Sequence, residues 1–298
     1  MIFCVSSHNP LLRPVLATIT GIALFSAMDA AIKSAALEIG AYSAYFLRCV
    51  IGLAMIAPVW RARGGKWPNR RVLKIHLLRG VVVAFMGWTF FVSLVRLPLA
   101  EAIALSFIAP LIALYLAAAL LGEKIERRAI IAAVLGLAGV LVIVGGRIGG
   151  ERMSDEALLG LVALLLSAIL YGWNLVLQRQ QALVASPTEV STFQNGVVAL
   201  VLLMGAPMLL VLPEGAVWVD ITLGAILAVG AAVMLSWAYA RAEAQKLVPI
   251  EYTGFLWASL LGWWFFGEQV TLTTAFGAVL IVIGCWIATR RRPEQSAV

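Results

Sequence analysis

The chain has 298 residues, of which 62% are hydrophobic and 12% are charged, and its formal net charge is +7. Apolar runs recur along the whole chain, which excludes a water-soluble globule and predicts a polytopic membrane protein. The positive charge could suggest a nucleic-acid partner. However, the basic residues lie in short gaps between apolar runs and at Arg290–Arg292, a pattern typical of membrane-surface anchoring, so we exclude nucleic acid.

Apolar runs bounded by charged residues, proline or glycine predict ten transmembrane helices, each close to the ~20 residues that a bilayer core requires. Numbered 1 to 10 in chain order, they cover residues 14–35, 42–60, 73–95, 99–121, 127–146, 157–179, 188–212, 217–240, 246–266 and 271–289. Residues 1–13 lack a basic region followed by an apolar core and a cleavage site. We therefore expect no cleaved signal peptide, and helix 1 acts as the first anchor.

The distribution of basic residues predicts the orientation in the membrane. With the N-terminus in the cytoplasm, 16 of the 22 basic residues fall on the cytoplasmic side, four fall outside, and Arg48 and Arg79 lie within helices. Because cytoplasmic loops are enriched in Lys and Arg, this bias sets the orientation. Both termini are predicted to be cytoplasmic.

Metal sites and catalytic pairs are not indicated by the sequence. The three cysteines have no metal-ligand spacing, so we expect free thiols and no bound metal. The histidines are His8 in the N-terminal tail and His76 near the inner surface, which gives little prospect of acid-base catalysis. Gly64-Gly65-Lys66 lacks the first spaced glycine of a phosphate loop. We expect no cofactor and no enzyme activity, with an intramembrane enzyme as a rival class.

A constant offset of 145 residues relates the two halves of the chain. The motif Gly-Glu, nine residues, Ala-Val-Leu, three residues and Gly stands at 122–139 and again at 267–284. Between the halves, glycine pairs and mixed charges at 145–156 are typical of a linker. We therefore predict one repeat at residues 1–148 and a second at 149–298. Each has five helices, an odd number, so the second repeat must be inverted in the membrane.

The same offset relates two stripes of polar side chains. Predicted helix 6 carries polar residues at steps of four, three and four, which share one helix face: Ser167, Tyr171, Asn174 and Gln178. In predicted helix 1 the positions equivalent to the last three are Ser26, Asp29 and Lys33. Polar stripes are costly in hydrocarbon, so both are expected to line a shared interior. The alternative is hydrogen bonding between helices without a cavity.

Further features add to this interior. Asp29 needs a compensating partner, and Lys33 on the same face and Arg48 on helix 2 are the candidates. Pro110 and Pro249 would free backbone carbonyls within helices 4 and 9. Mid-helix aromatic residues complete the predicted substrate-binding set, which comprises Ser26, Asp29, Lys33, Trp88, Tyr171, Trp173, Asn174, Gln178, Trp237, Tyr252 and Trp257.

Several motifs carry a family resemblance: Met28-Asp29-Ala30, Phe46-Leu47-Arg48, Trp173-Asn174 and the two Gly-Glu pairs. Together with the repeats, they resemble the EamA family of the drug/metabolite transporter superfamily over essentially the whole chain. The resemblance implies an all-α membrane fold of ten helices in two inverted five-helix repeats. It also implies a central cavity lined by helices 1, 3, 4, 6, 8 and 9, with helices 5 and 10 peripheral.

The predicted wall combines a carboxylate, an ammonium, amides, hydroxyls and aromatic rings, which suits a small zwitterion. With the family resemblance, it predicts an exporter of amino acids, including aromatic ones, and related metabolites across a bacterial inner membrane by alternating access. The alternatives are a multidrug or nucleotide-metabolite exporter of the same fold, and a passive pore or scramblase. Proton coupling and the choice between monomer and homodimer stay open.

Overall fold

The structure is a computed structural model that describes residues 12–109, 112, 127–148, 154–182, 184–239, 241, 247, 250 and 252–289. These residues form helices and contain no β-strand. The principal helices are α1 (Leu12–Ile39), α2 (Ala41–Ala62), α3 (Arg70–Leu94), α4 (Leu99–Ser106), α5 (Arg127–Ile148), α6 (Asp155–Ala182), α7 (Pro187–Leu203), α8 (Val217–Tyr239), α9 (Gly254–Phe266) and α10 (Leu272–Thr289).

Five of these helices are long and apolar enough to cross a membrane, counted over the described ranges: α1, α2, α3, α6 and α8. Shorter apolar stretches lie at Val134–Gly146, Gly254–Phe266 and Leu272–Gly284. The five long helices have the ~20 residues that a hydrocarbon core requires. The shorter stretches fall below that length. The chain is therefore a multi-pass helical membrane protein.

Local sequence signals explain several helix ends. The Asn69 side chain accepts the Val72 N–H and caps α3, and Pro187 occupies the first turn of α7. Gly267, with φ of 63°, ends α9 in the left-handed conformation that glycine adopts without strain.

Predicted helix 7 was expected to reach residue 212, and that boundary is wrong. Helix α7 ends at Leu203 and is followed by a separate one-turn helix, Ala206–Leu209. The break lies at Gly205 and Pro207, because proline supplies no N–H to the preceding turn and its ring clashes with the helix backbone. Helix α9 is described from Gly254, and the predicted start at residue 246 lies outside the described residues.

Helix packing follows the 145-residue offset. Helix α1 packs along α8, and α3 packs along α6. Because the offset relates α1 to α6 and α3 to α8, these two pairs are equivalent. The offset also relates α2 to α7 and α5 to α10, and in each of these pairs a helix contacts its own counterpart. The halves thus interdigitate and share their interior surfaces.

Helices α5 and α10 make their most extensive contacts with each other. At their crossing, a Cβ on Gly139 would lie 2.6 Å from the Gly277 carbonyl oxygen. Glycine at both positions therefore allows the two backbones to touch, as is typical of membrane helix pairs. Gly139 and Gly277 are therefore packing residues of this helix pair.

Candidate functional site

Arg79 of α3 lies against the predicted stripe of α6 and is only 6% exposed. Its Nε donates to Asn174 Oδ1 at 2.9 Å, and its Nη2 donates to Gln178 Oε1 at 3.1 Å. Its Nη1 donates to Gln181 Oε1. All three guanidinium nitrogens therefore bind neutral amide oxygens. We call these four residues the Arg79 cluster.

The cluster continues to the start of α7. Because arginine can only donate, Gln181 must turn its oxygen to Arg79 and its NH₂ group to Nδ1 of His76. His76 then carries its proton on Nε2, which donates to Glu189 Oε1 at 3.2 Å. The imidazole also stacks on Phe193, with ring centroids 4.6 Å apart. A continuous hydrogen-bonded chain thus links α3, α6 and α7.

The remaining polar residues of α6 lie on the same face. Ser167 donates from its hydroxyl to the Met86 carbonyl oxygen at 2.9 Å. Tyr171 is half-buried and interacts electrostatically with Arg79. Trp173 lies on the outward face of the helix and is 40% exposed, away from the stripe that contains Asn174.

The stripe of α1 finds different partners. Lys33 forms an ion pair with Glu268 and donates to the Leu97 carbonyl oxygen at 2.9 Å. Its ammonium also lies 4.9 Å from the centre of the Phe266 ring. The second carboxylate oxygen of Glu268 accepts the Leu99 backbone N–H at 2.7 Å. The ion pair therefore joins α1 and the α3–α4 connection to the α9–α10 connection of the other half.

Asp29, two-thirds of the way along α1, is buried together with Ser26. Burial is the main influence on its carboxyl group, and Arg48 of α2 is close enough to act on that group electrostatically. Arg48 lies over the Tyr45 ring at 5.0 Å and donates to the Cys49 sulfur at 3.2 Å. Two partners were considered for Asp29. Arg48, on the neighbouring helix α2, interacts with it electrostatically, whereas Lys33 is paired with Glu268.

The predicted aromatic residues occupy several environments. Trp88 packs edge-on against Tyr42, with ring centroids 5.7 Å apart. Tyr252 packs edge-on against Phe107 at 5.1 Å, and Trp257 is half-buried on the following turn. These three predicted residues lie partly within the bundle.

Trp237 lies at the end of α8. Its ring stacks under the guanidinium of exposed Arg241, 4.3 Å from the ring centre. Arg241 also donates to the Trp237 carbonyl oxygen at 3.2 Å. Trp237 therefore packs against a charged side chain at a helix end. Pro110 and Pro249, proposed to free carbonyl groups, lie outside the described residues.

Sequence reasoning did not include Arg79, Gln181, His76, Glu189 or Glu268 in the site. Two signals were present. Gln181 stands three residues after Gln178 and extends the α6 stripe by one step, and Glu268 belongs to the repeated Gly-Glu motif. Its earlier counterpart, Glu123, lies outside the described residues.

Two cavities open near the ends of the bundle. One, of about 320 Å³, lies between the α2–α3 and α6–α7 connections and reaches Glu189. The other, of about 130 Å³, lies between the starts of α4 and α10 and includes Glu101. Neither is lined by the stripes of α1 and α6, whose Ser26, Asp29 and Asn174 are packed inside the bundle.

These features define a polytopic helical protein with paired halves and charged groups buried between them. The chain matches the EamA-like transporter family over residues 12–145 and again over 158–290, and it belongs to that family. The family resemblance seen in the sequence is thereby confirmed.

Individual relatives are more distant. The chain is 28% identical to the Pseudopaline exporter CntI of Pseudomonas aeruginosa strain UCBPP-PA14, covering 94% of this chain and 96% of that protein. It is 25% identical to an uncharacterized transporter of Archaeoglobus fulgidus, covering 83% and 86% of the two chains. A crystal structure 24% identical in sequence superposes with a TM-score of 0.63 over 93% of this chain and 96% of that one, which supports the fold.

Proposed function

We propose that this protein exports small zwitterionic metabolites, namely amino acids including aromatic ones and their relatives, across a bacterial inner membrane. The observation that carries this proposal is the burial of Asp29 and Arg48 on adjacent membrane helices of a transporter-family protein. Charges are expensive in hydrocarbon and are retained where they serve a substrate or ion pathway. A relative that is named as an exporter favours the outward direction.

The proposed architecture is two inverted five-helix repeats, residues 1–148 and 149–298, with both termini in the cytoplasm. The contacts support this topology. Lys33 and Glu268 meet where it places the outer ends of α1 and α9. His76, Gln181 and Glu189 meet where it places the cytoplasmic ends of α3, α6 and α7.

Each polar assembly joins one repeat to the other, and each lies toward a different proposed membrane face. Alternating access requires the outer face to open while the inner face is closed, and then the reverse. In our proposal the Lys33–Glu268 pair closes the outer side and the Arg79 cluster closes the inner side. The substrate binds between them, beside Ser26, Asp29 and the aromatic side chains of α3 and α9.

Counterflow in liposomes tests the proposal. Purified protein is reconstituted into vesicles loaded with unlabelled phenylalanine, leucine or lysine, and uptake of the same labelled amino acid is followed. A carrier gives saturable uptake that is stimulated by substrate inside the vesicle. Flux that rises linearly with concentration indicates a pore. Transport of a cationic dye with no movement or competition by any amino acid would overturn the amino-acid proposal.

A further inference from the structure

Arg48 is a buried guanidinium whose hydrogen-bonding capacity is poorly used. It is 9% exposed, and a described hydrogen bond of its Nη2 goes to the Cys49 sulfur, a weak acceptor. The Tyr45 ring lies beneath the guanidinium, and the Tyr45 hydroxyl is in hydrogen-bonding contact with Arg48. Its Nε has no hydrogen-bond partner within the described ranges. These contacts position the guanidinium but leave N–H donors of Arg48 without a strong acceptor.

Asp29 is the nearby acidic residue, but it does not form an ion pair with Arg48 in the described part of the chain. Asp29 and Arg48 interact only electrostatically there. Arg79 offers the comparison, because it is equally buried and donates from all three nitrogens to amide oxygens. A buried arginine with a purely structural role is expected to be satisfied in that way.

We infer that Arg48 binds the carboxylate of the transported zwitterion and that Asp29 binds its ammonium group. This inference rests on the proposed function and assigns its substrate contacts. A carboxylate matches the planar guanidinium fork and accepts two parallel N–H bonds. An ammonium group placed beside Asp29 replaces the water that this carboxylate loses in the bundle interior.

The pair also sets a charge rule for the substrate. Asp29 repels a ligand that carries only negative charge, and Arg48 repels one that carries only positive charge. Discrimination of this kind comes from like charges held in a low dielectric, where their interaction is least screened. A molecule with one carboxylate and one ammonium group satisfies both residues and leaves no net buried charge.

The test measures, for each variant, a ratio that general loss of activity cannot change. Counterflow of labelled phenylalanine is inhibited by unlabelled phenylalanine or by phenylalaninamide, which lacks the carboxylate. In the wild type we expect the amide to compete about tenfold or more weakly, since charge-assisted hydrogen bonds are at stake. In Arg48→Gln this ratio should fall toward one, and Arg48→Lys should give an intermediate value.

A second pair of ligands addresses Asp29. N-acetylphenylalanine lacks the ammonium group and should compete about tenfold or more weakly than phenylalanine in the wild type. In Asp29→Asn this preference should fall toward one, while the preference for a free carboxylate persists.

Arg79→Gln is the matched control, because it removes another buried arginine whose donors the protein already uses. The ratio of phenylalanine to phenylalaninamide should stay at its wild-type value in this variant. If that ratio is unchanged in Arg48→Gln, or collapses in Arg79→Gln instead, the inference is wrong while the proposed function stands. If the wild type neither transports nor binds any amino acid tested, the proposed function fails and the inference falls with it.

Discussion

The polar stripes of α1 and α6 occupy equivalent positions in the two halves, yet their side chains bind different kinds of partner. Asn174 and Gln178 are satisfied by Arg79 of the adjacent α3. On α8, the corresponding neighbour of α1, the residue equivalent to Arg79 is Gly224. Helix α1 therefore receives no cation from its packing partner, and Asp29 interacts with Arg48 of α2 instead.

The two halves of this protein thus share equivalent helix positions but differ in the side-chain interactions made at those positions. On the α6 side, a single arginine cross-links neutral amides and makes a stable contact between the halves. On the α1 side, Lys33 and Glu268 form an ion pair at one end of the helix. Asp29 and Arg48, nearer the middle of the bundle, share no ion-pair contact within the described residues. In our proposal, the α1 side therefore holds the charged groups that contact the substrate.

Removing Arg79 is expected to have the largest effect on stability. Arg79→Met leaves the amide oxygens of Asn174 and Gln181 buried without their donor, at a cost of about 3 kcal/mol or more in the free energy of unfolding. Denaturant titration in detergent micelles measures the loss. Arg96→Gln is the control, because Arg96 pairs with a largely exposed Glu156 and should cost less than about 1 kcal/mol. Equal losses in the two variants would contradict the structural role given to the Arg79 cluster.

The Lys33–Glu268 pair should show the next largest effect. Lys33→Met leaves the Glu268 carboxylate without its cation, and Glu268→Gln leaves the Lys33 ammonium without its anion, at about 2–3 kcal/mol each. The double variant should be more stable than the sum of these losses implies, by at least about 1 kcal/mol. The same titration on all four proteins measures this coupling, and strictly additive losses would show that the residues do not interact.

The orientation of α6 can be tested with neighbouring residues. Asn174→Leu removes an acceptor of the buried Arg79 and should cost about 2 kcal/mol. Trp173→Leu changes the outward face and should alter stability by no more than about 0.5 kcal/mol. The comparison uses the same replacement residue on adjacent positions, so a larger loss from Trp173→Leu would mean that the helix faces are assigned the wrong way round.

Gly224 gives the smallest expected effect. A Cβ at this position would lie 2.5 Å from Cδ1 of Ile32, so Gly224→Ala should destabilise the α1–α8 contact by about 1 kcal/mol. Gly145→Ala is the control, because no atom lies within 4 Å of its added Cβ. Combining Gly224→Ala with Ile32→Ala should cost less than the two changes separately. A neutral Gly224→Ala would argue against the close approach of these helices.

Much of the fold could be predicted because it depends on local pattern. The length of the apolar runs predicted α1, α2, α3, α6 and α8, and the 145-residue offset relates the α1–α8 pair to the α3–α6 pair. Pro207 is a helix-breaking residue, but it lies within a long apolar run that was assigned to a single helix. The break after α7 was therefore not predicted.

The site was harder to predict because partner choice depends on which helices become neighbours. The stripe containing Asn174 was evident from spacing, but its binding to Arg79 required the packing of α3 on α6. Likewise, Glu268 was recognised as part of a repeat, whereas its pairing with Lys33 spans 235 residues of sequence. Trp173 illustrates a different difficulty. It is adjacent to Asn174 in the sequence, but neighbouring residues of a helix point in different directions, and Trp173 lies on the outward face.

In the proposed transport cycle, the Lys33–Glu268 contact closes the outer side and must separate during transport. The direct measurement is amino-acid counterflow by a Lys33→Cys, Glu268→Cys variant, free of native cysteines, before and after treatment with a short bismaleimide cross-linker. Each single-cysteine variant treated with the same reagent controls for modification alone. Cross-linking is expected to stop counterflow only in the double variant. Counterflow that continues at full rate after complete cross-linking would contradict this role of the contact.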